Sequence, residues 1–375
     1  MKTIYTKYFT LSIFLAVLLC SGKLFAQQEQ VYFVQALKVA NNSCNYKNST
    51  DTFEKNINFD SKTGESFALR ARCAIFSGDM EMAKADLMQA DALLKNNAEL
   101  LLSYGYYYNE IKQYKQAIDA LDKALKINGK LAEAYNARGF SKQSLGDIKG
   151  ALSDYTAAIK SDNNYAIAYN NHASAIYNNQ DLAKASKWDL KNALYDLIKA
   201  IELDPNLCVA HKNKAIVQKL MRENGDAMRE INIALNCEPE NAENYMTRGM
   251  IMSEIKSPAE AISNFETALS KNPNLALAYV EMARAKARLK RYEEAYADLD
   301  KAEQIDPNLK PMIFYARASV AAQKGHKDDM IHYLQSAKRT GFFKSKVAVA
   351  NFKEDVDFVA MRSKPDYMKF VHSLY

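Results

Sequence analysis

The sequence predicts an all-α chain, a stack of short helical hairpins, on three observations. Alanine or glycine returns at fixed offsets along the stretch from Gly64 to Leu309, with a spacing of 34 residues broken once by 42. The 12 Gly and 7 Pro among 375 residues fit a mostly helical chain. Asp204-Pro205, Glu238-Pro239, Asn272-Pro273 and Asp306-Pro307 all fall at offsets 31 and 32. There a proline pre-sets a turn and disfavours helix in the residue before it.

The stretch Ala132 to Tyr165 shows the unit, with Tyr135 at position 4, Gly139 at 8, Ala151 at 20, Tyr155 at 24 and Ala158 at 27, and Gly146-Asp147 midway. This reads as a helix, a tight turn and a second helix. Units start at Gly64, Ala98, Ala132, Ala166, Cys208, Ala242 and Ala276. Position 8 holds Ala71, Gly105, Gly139, Ala173, Ala215, Gly249 and Ala283, and positions 20 and 27 hold alanine in all seven units. A larger side chain there would wedge the helices apart at a cost of roughly 1–3 kcal/mol. Position 24 fills the space beside them with Leu87, Leu121, Tyr155, Leu197, Ile231, Phe265 and Leu299.

Ahead of the units, residues 1–26 read as a secretory leader: Lys2 and Lys7, an apolar run from Tyr8 to Leu19, then Leu24-Phe25-Ala26 before Gln27. The run is too short for a good membrane span, no later segment is long and apolar enough to be one, and the chain is expected to be exported. Lipid attachment at Cys20 is the rival, which Leu19 fits poorly because a small residue is expected there. Residues 27–63 read as a degenerate helical cap, with the polar run Asn41 to Asn48 breaking the pattern; a flexible leader is the alternative. The formal charge is +6, of which Lys2, Lys7 and Lys23 belong to the leader. So balanced a mature chain gives no argument for nucleic acid.

After the seven units, residues 310–343 form a divergent eighth, with Ala318, Gly325, Met330, Leu334 and Ala337 near the equivalent offsets. Residues 344–375 carry two short apolar patterns joined at Pro365 and read as capping helices, rather than a partner-binding tail. The fourth unit, 166–207, holds eight extra residues and the only tryptophan, Trp188. Its second helix is expected to start early and protrude, with Trp188 packed on its own hairpin or, alternatively, serving as a contact anchor. Cys208 and Cys237 sit at the same end of one hairpin, so a bridge between them is geometrically allowed; buried free thiols are the expected state of the cysteines.

These offsets resemble the tetratricopeptide repeat, whose recurrent pattern of small residues and rings is distinctive when it stays in register. The resemblance implies a right-handed α-solenoid, or superhelix, of about eight hairpins, acting without catalysis as a scaffold that holds a protein or an extended peptide in its concave groove. By that analogy positions 2, 5, 6, 9, 12 and 13 face the groove, giving Arg72, Tyr106, Asn136, Phe140, Asn170, Asn171, Lys212, Asn213, Arg284 and Arg288. Asparagine amides both donate and accept, so they suit the main chain of any extended peptide. The family's carboxylate clamp, Lys at position 5 with Asn at 9 in one unit, is missing: Lys212 is followed by Ile216.

No catalytic constellation is expected. The five histidines are scattered, and there is no phosphate loop, nucleophile elbow or cysteine pair at zinc spacing, so neither a cofactor nor a metal is implied. A structural subunit of a cell-envelope or secretion assembly is the competing reading. An enzyme or a periplasmic solute binder would need a closed pocket that an open stack does not supply.

Overall fold

The computed structural model describes residues 63–177, 187–344 and 346–374. The leader with Cys20, the cap up to residue 62 with Cys44, and the inserted residues 178–186 lie outside the described residues. The described chain is all-α and pairs its helices as hairpins: α1 Gly64–Ser77 with α2 Met80–Leu93, α3 Ala98–Glu110 with α4 Tyr114–Ile127, and α5 Ala132–Ser144 with α6 Ile148–Ser161. Then come α7 Ala166–Tyr177, α8 Lys187–Leu203, α9 Cys208–Leu220 and α10 Asn224–Cys237. The pairs α11 Ala242–Glu254 with α12 Pro258–Lys271, α13 Ala276–Arg288 with α14 Tyr292–Ile305, and α15 Lys310–Lys324 with α16 Lys327–Arg339 follow. Helices α17 Lys346–Glu354 and α18 Pro365–His372 end the chain, joined by the 3-10 turn Val356–Met361. No helix of the described residues is long and apolar enough to cross a membrane.

The described residues divide into two compact units, 63–176 together with 192–210, and 177 and 187–191 together with the described residues from 211 to 374. In both, local chemistry sets the helix ends. Thr63, Asp79, Asn97 and Asp147 accept a bond from a backbone N–H two or three residues into the helix that each opens, satisfying donors the helix leaves unpaired. Between the paired helices the chain turns at position 15 through the left-handed region: Gly78 and Gly146 at φ 78 and 84, but Lys112, Arg222, Lys256 and Lys290 at φ 60 to 64. At the other end Asn272 and Asp306 are extended, with φ of −141 and −138, as residues before proline tend to be, and Glu238 leaves the helix at φ −130.

The small-residue register closes the hairpins. Every alanine at positions 20 and 27, from Ala83 to Ala302, is fully buried, and so is Ala at position 8. Where position 8 is glycine, the large side chain at position 24 takes the room of the missing Cβ: an added Cβ would lie 2.5 Å from Leu121 at Gly105, 2.8 Å from Tyr155 at Gly139 and 2.7 Å from Phe265 at Gly249. In the eighth hairpin Met330 takes the small slot and is itself fully buried. The end of the chain packs as an aromatic cluster in which Phe343, Phe352, Phe358, Tyr367 and Phe370 gather beside Tyr315 of α15. Pro365 opens α18 in its first turn, where its missing N–H leaves no bond unmade.

Candidate binding face

The odd-numbered helices of the repeats carry the residues that the register assigns to a ligand. Seven of the ten, Tyr106, Asn136, Phe140, Asn170, Asn171, Lys212 and Asn213, are buried, none more than 6% exposed. Neighbouring hairpins use them. Asn171 Nδ2 donates to Asn136 Oδ1 at 2.9 Å, from α7 to α5, and Asn170 Nδ2 donates to Asn171 Oδ1 at 3.2 Å. Tyr177 Oη donates to Asn213 Oδ1 at 2.7 Å, and Lys212 Nζ to Glu243 Oε2 of α11 at 2.8 Å. Tyr106 meets Phe76 edge-on at 5.6 Å, and Phe140 meets Tyr114 edge-on at 6.3 Å. Arg72 reaches from α1 to Glu99 Oε2 at 2.8 Å and lies 5.9 Å from the Tyr106 ring centroid. The residues that the resemblance assigns to a ligand are thus engaged between helices of the stack. An amide that suits a passing peptide suits an adjacent helix equally, and here the adjacent helix has it.

The register also carries a brace that the sequence reading missed. Position 7 of the first helix reaches position 23 of the second: Arg70 to Asp86, Arg138 to Asp154, His172 to Asp196, Lys214 to Glu230 and Arg248 to Asn264. Burial lowers the pKa of Arg138, but Asp154 and Asp122 outweigh it and raise the value overall. Burial likewise pushes the Glu230 carboxyl up, and His211 and Lys214 more than reverse it. A basic residue at the first offset with an acid, or once an amide, at the second was readable in these five units.

One brace resembles a catalytic triad. His172 Nδ1 lies 2.7 Å from Asp196 Oδ2, with Nε2 3.5 Å from Thr156 Oγ1. Thr156 Oγ1, however, donates to Leu152 O at 2.8 Å within α6, so its proton points away from the imidazole and the hydroxyl is not activated. Among the described residues no group of three His, Cys, Asp or Glu side chains could hold a metal ion.

Arg284 and Arg288, the last two of the ten, hold a segment of chain from outside the repeats. Arg284 Nη2 donates to Asp355 Oδ2 and Asp357 Oδ2, both at 2.7 Å, and its Nε donates to Asp357 Oδ2 at 3.0 Å. Arg288 Nε donates to Asp357 Oδ1 at 2.8 Å. From α15, Ser319 Oγ donates to Asp357 Oδ2 at 2.8 Å and Tyr315 Oη to Asp355 Oδ2 at 2.6 Å. Farther along, Arg222 pairs with Glu354 at 2.6 Å. The Asp357 side chain is only 1% exposed. Burial alone would push its carboxyl up, but Arg284 and Arg288 hold it at about 2.

Trp188, expected to pack on its own hairpin, is 69% exposed on α8. The described cysteines are not the free, buried thiols expected: Cys73, Cys208 and Cys237 are all disulfide-bonded, and Cys237 is exposed.

Two tetratricopeptide-repeat family models match the chain, one over residues 256–320 and the other over 98–131 and 132–165. No curated relative matches. Among solved structures, a tetratricopeptide repeat protein from Parabacteroides merdae is 19% identical, over 68% of this chain and 99% of that one, with a TM-score of 0.52. A chain of the Cut9–Hcn1 hetero-tetramer of APC/C is 16% identical, over 76% of this chain and 52% of that one, with a TM-score of 0.58. Likeness at these identities shows the fold alone.

Proposed function

We propose that this tetratricopeptide-repeat protein is an exported, non-catalytic scaffold that holds a partner protein by an extended segment laid on the inner face of its first helices. The observation that supports this reading is the hold of Arg284 and Arg288 on Asp355 and Asp357. Two repeat helices, α13 and α15, grip a segment that belongs to no repeat, through two arginines, a serine and a tyrosine. The leader, with its order of charge, apolar run and small residue, supports export, and processing after Ala26 gives a mature chain beginning at Gln27. Mass spectrometry of the secreted or periplasmic protein checks this; a lipidated Cys20 or a retained Met1 defeats it.

The scaffold reading is tested by crosslinking capture from native envelope fractions, followed by fragmentation of the captured partner. A scaffold of this kind binds one short segment of the partner in isolation. Capture only of the whole partner, at fixed stoichiometry and with no fragment sufficing, replaces the reading with a structural subunit of an assembly.

A further inference from the structure

The tail segment from Glu354 to Phe358 is bound as a ligand would be. Its three carboxylates meet three arginines: Glu354 meets Arg222, while Asp355 and Asp357 meet Arg284, and Asp357 also meets Arg288. The next residue, Phe358, is fully buried, with its ring 5.6 Å from that of Tyr315. Asp355 is extended, at φ −62 and ψ 121, and orients its neighbour by accepting from the Asp357 N–H at 3.0 Å. All the receiving groups belong to the repeats: Arg284 and Arg288 to α13, Tyr315 and Ser319 to α15, Arg222 to the turn after α9.

Resting on the scaffold reading above, we infer that this face is a recognition site for an acidic-aromatic segment, two aspartates one residue apart followed by phenylalanine, and that the chain's own tail occupies it in cis. The charge match sets the acidic part of the preference, because the half-buried forks of Arg284 and Arg288 need carboxylates opposite them, whereas the exposed Arg222–Glu354 pair adds little. The packing of the Phe358 ring against Tyr315 sets the aromatic part. A partner carrying the same pattern competes with the tail, and the flanking anchors Phe352 and Phe358 keep the tail in place until such a partner arrives.

The test uses the full chain and a fluorescein-labelled synthetic peptide of residues 350–363. In the unaltered protein the site is filled, and fluorescence anisotropy is expected to show binding at least about a hundredfold weaker than in a chain carrying Asp355→Asn, Asp357→Asn and Phe358→Ala. The same peptide with both aspartates changed to asparagine should lose that binding, and so should the altered chain with Arg284→Gln and Arg288→Gln added. An altered chain that keeps its circular dichroism but binds neither peptide, or both alike, overturns the inference. If the altered chain does not fold, excess peptide is added to the unaltered protein. Displacement then speeds hydrogen exchange of amides 354–361, and no change overturns the inference. Partner capture from envelope fractions does not depend on the peptide, so it can succeed where the tail experiment fails, leaving the scaffold reading in place.

Discussion

Gly139 of α5 faces Tyr155 of α6 so closely that a Cβ added to the glycine would stand 2.8 Å from Cε1 of the ring. Helix propensity alone makes Gly139→Ala stabilising by about 1 kcal/mol. The ring is fully enclosed, and its Oη is fixed by a 2.9 Å bond to Gln143 Oε1, so it has nowhere to retreat. The clash is therefore expected to win, with a net loss of about 1–3 kcal/mol. Urea unfolding decides the sign, and a gain in stability would mean that the hairpin is looser than described.

At the hairpin turns the sign reverses. Lys256 and Lys290 hold φ of 64 and 61, a region that a side chain disfavours and glycine enters freely. Lys256→Gly and Lys290→Gly are each expected to stabilise the protein by up to about 1 kcal/mol, the relief of left-handed strain less the entropy cost of glycine. Thermal unfolding checks this, and a lower midpoint in either variant contradicts it.

The repeat register was legible from small residues alone, because alanine and glycine at positions 8, 20 and 27 answer to one cause, the close crossing of helices. The inner polar residues were not legible. Asn136 and Asn171 look the same in sequence whether they await a peptide or bond to each other, and only burial separates the two. The place where the tail lands was beyond sequence reasoning as well. Arg284 and Asp357 are 73 residues apart, and no periodicity relates them.

Since Asn171 bonds to Asn136 inside the stack, Asn171→Ala is expected to cost stability, about 1–3 kcal/mol for a lost buried hydrogen bond. Affinity for a partner should follow the folded fraction and nothing more. An unaltered unfolding curve with weakened binding would return Asn171 to the ligand.

Asp357 makes a prediction about acid. Its folded pKa is depressed to about 2 from the ordinary aspartate value of 3.8, so it binds its proton less readily in the folded state than in the unfolded. The stability this confers is present above the unfolded value and is lost as pH falls toward 2, a contribution on the order of 2 kcal/mol. Asp357→Asn should lower the unfolding free energy at pH 6 and flatten its decline between pH 4 and about 2. Parallel curves for the two proteins over that range would show that the arginines do not hold the carboxylate.

The central claim is that the inner face of the first helices takes the partner. A photoreactive residue at Met250, at position 9 of α11 and half-buried, is compared with one at Lys160, exposed at the end of α6. After irradiation in native envelope fractions, the account predicts a discrete crosslinked partner from position 250 and none from position 160. The same partner captured from position 160, with none from 250, would contradict it.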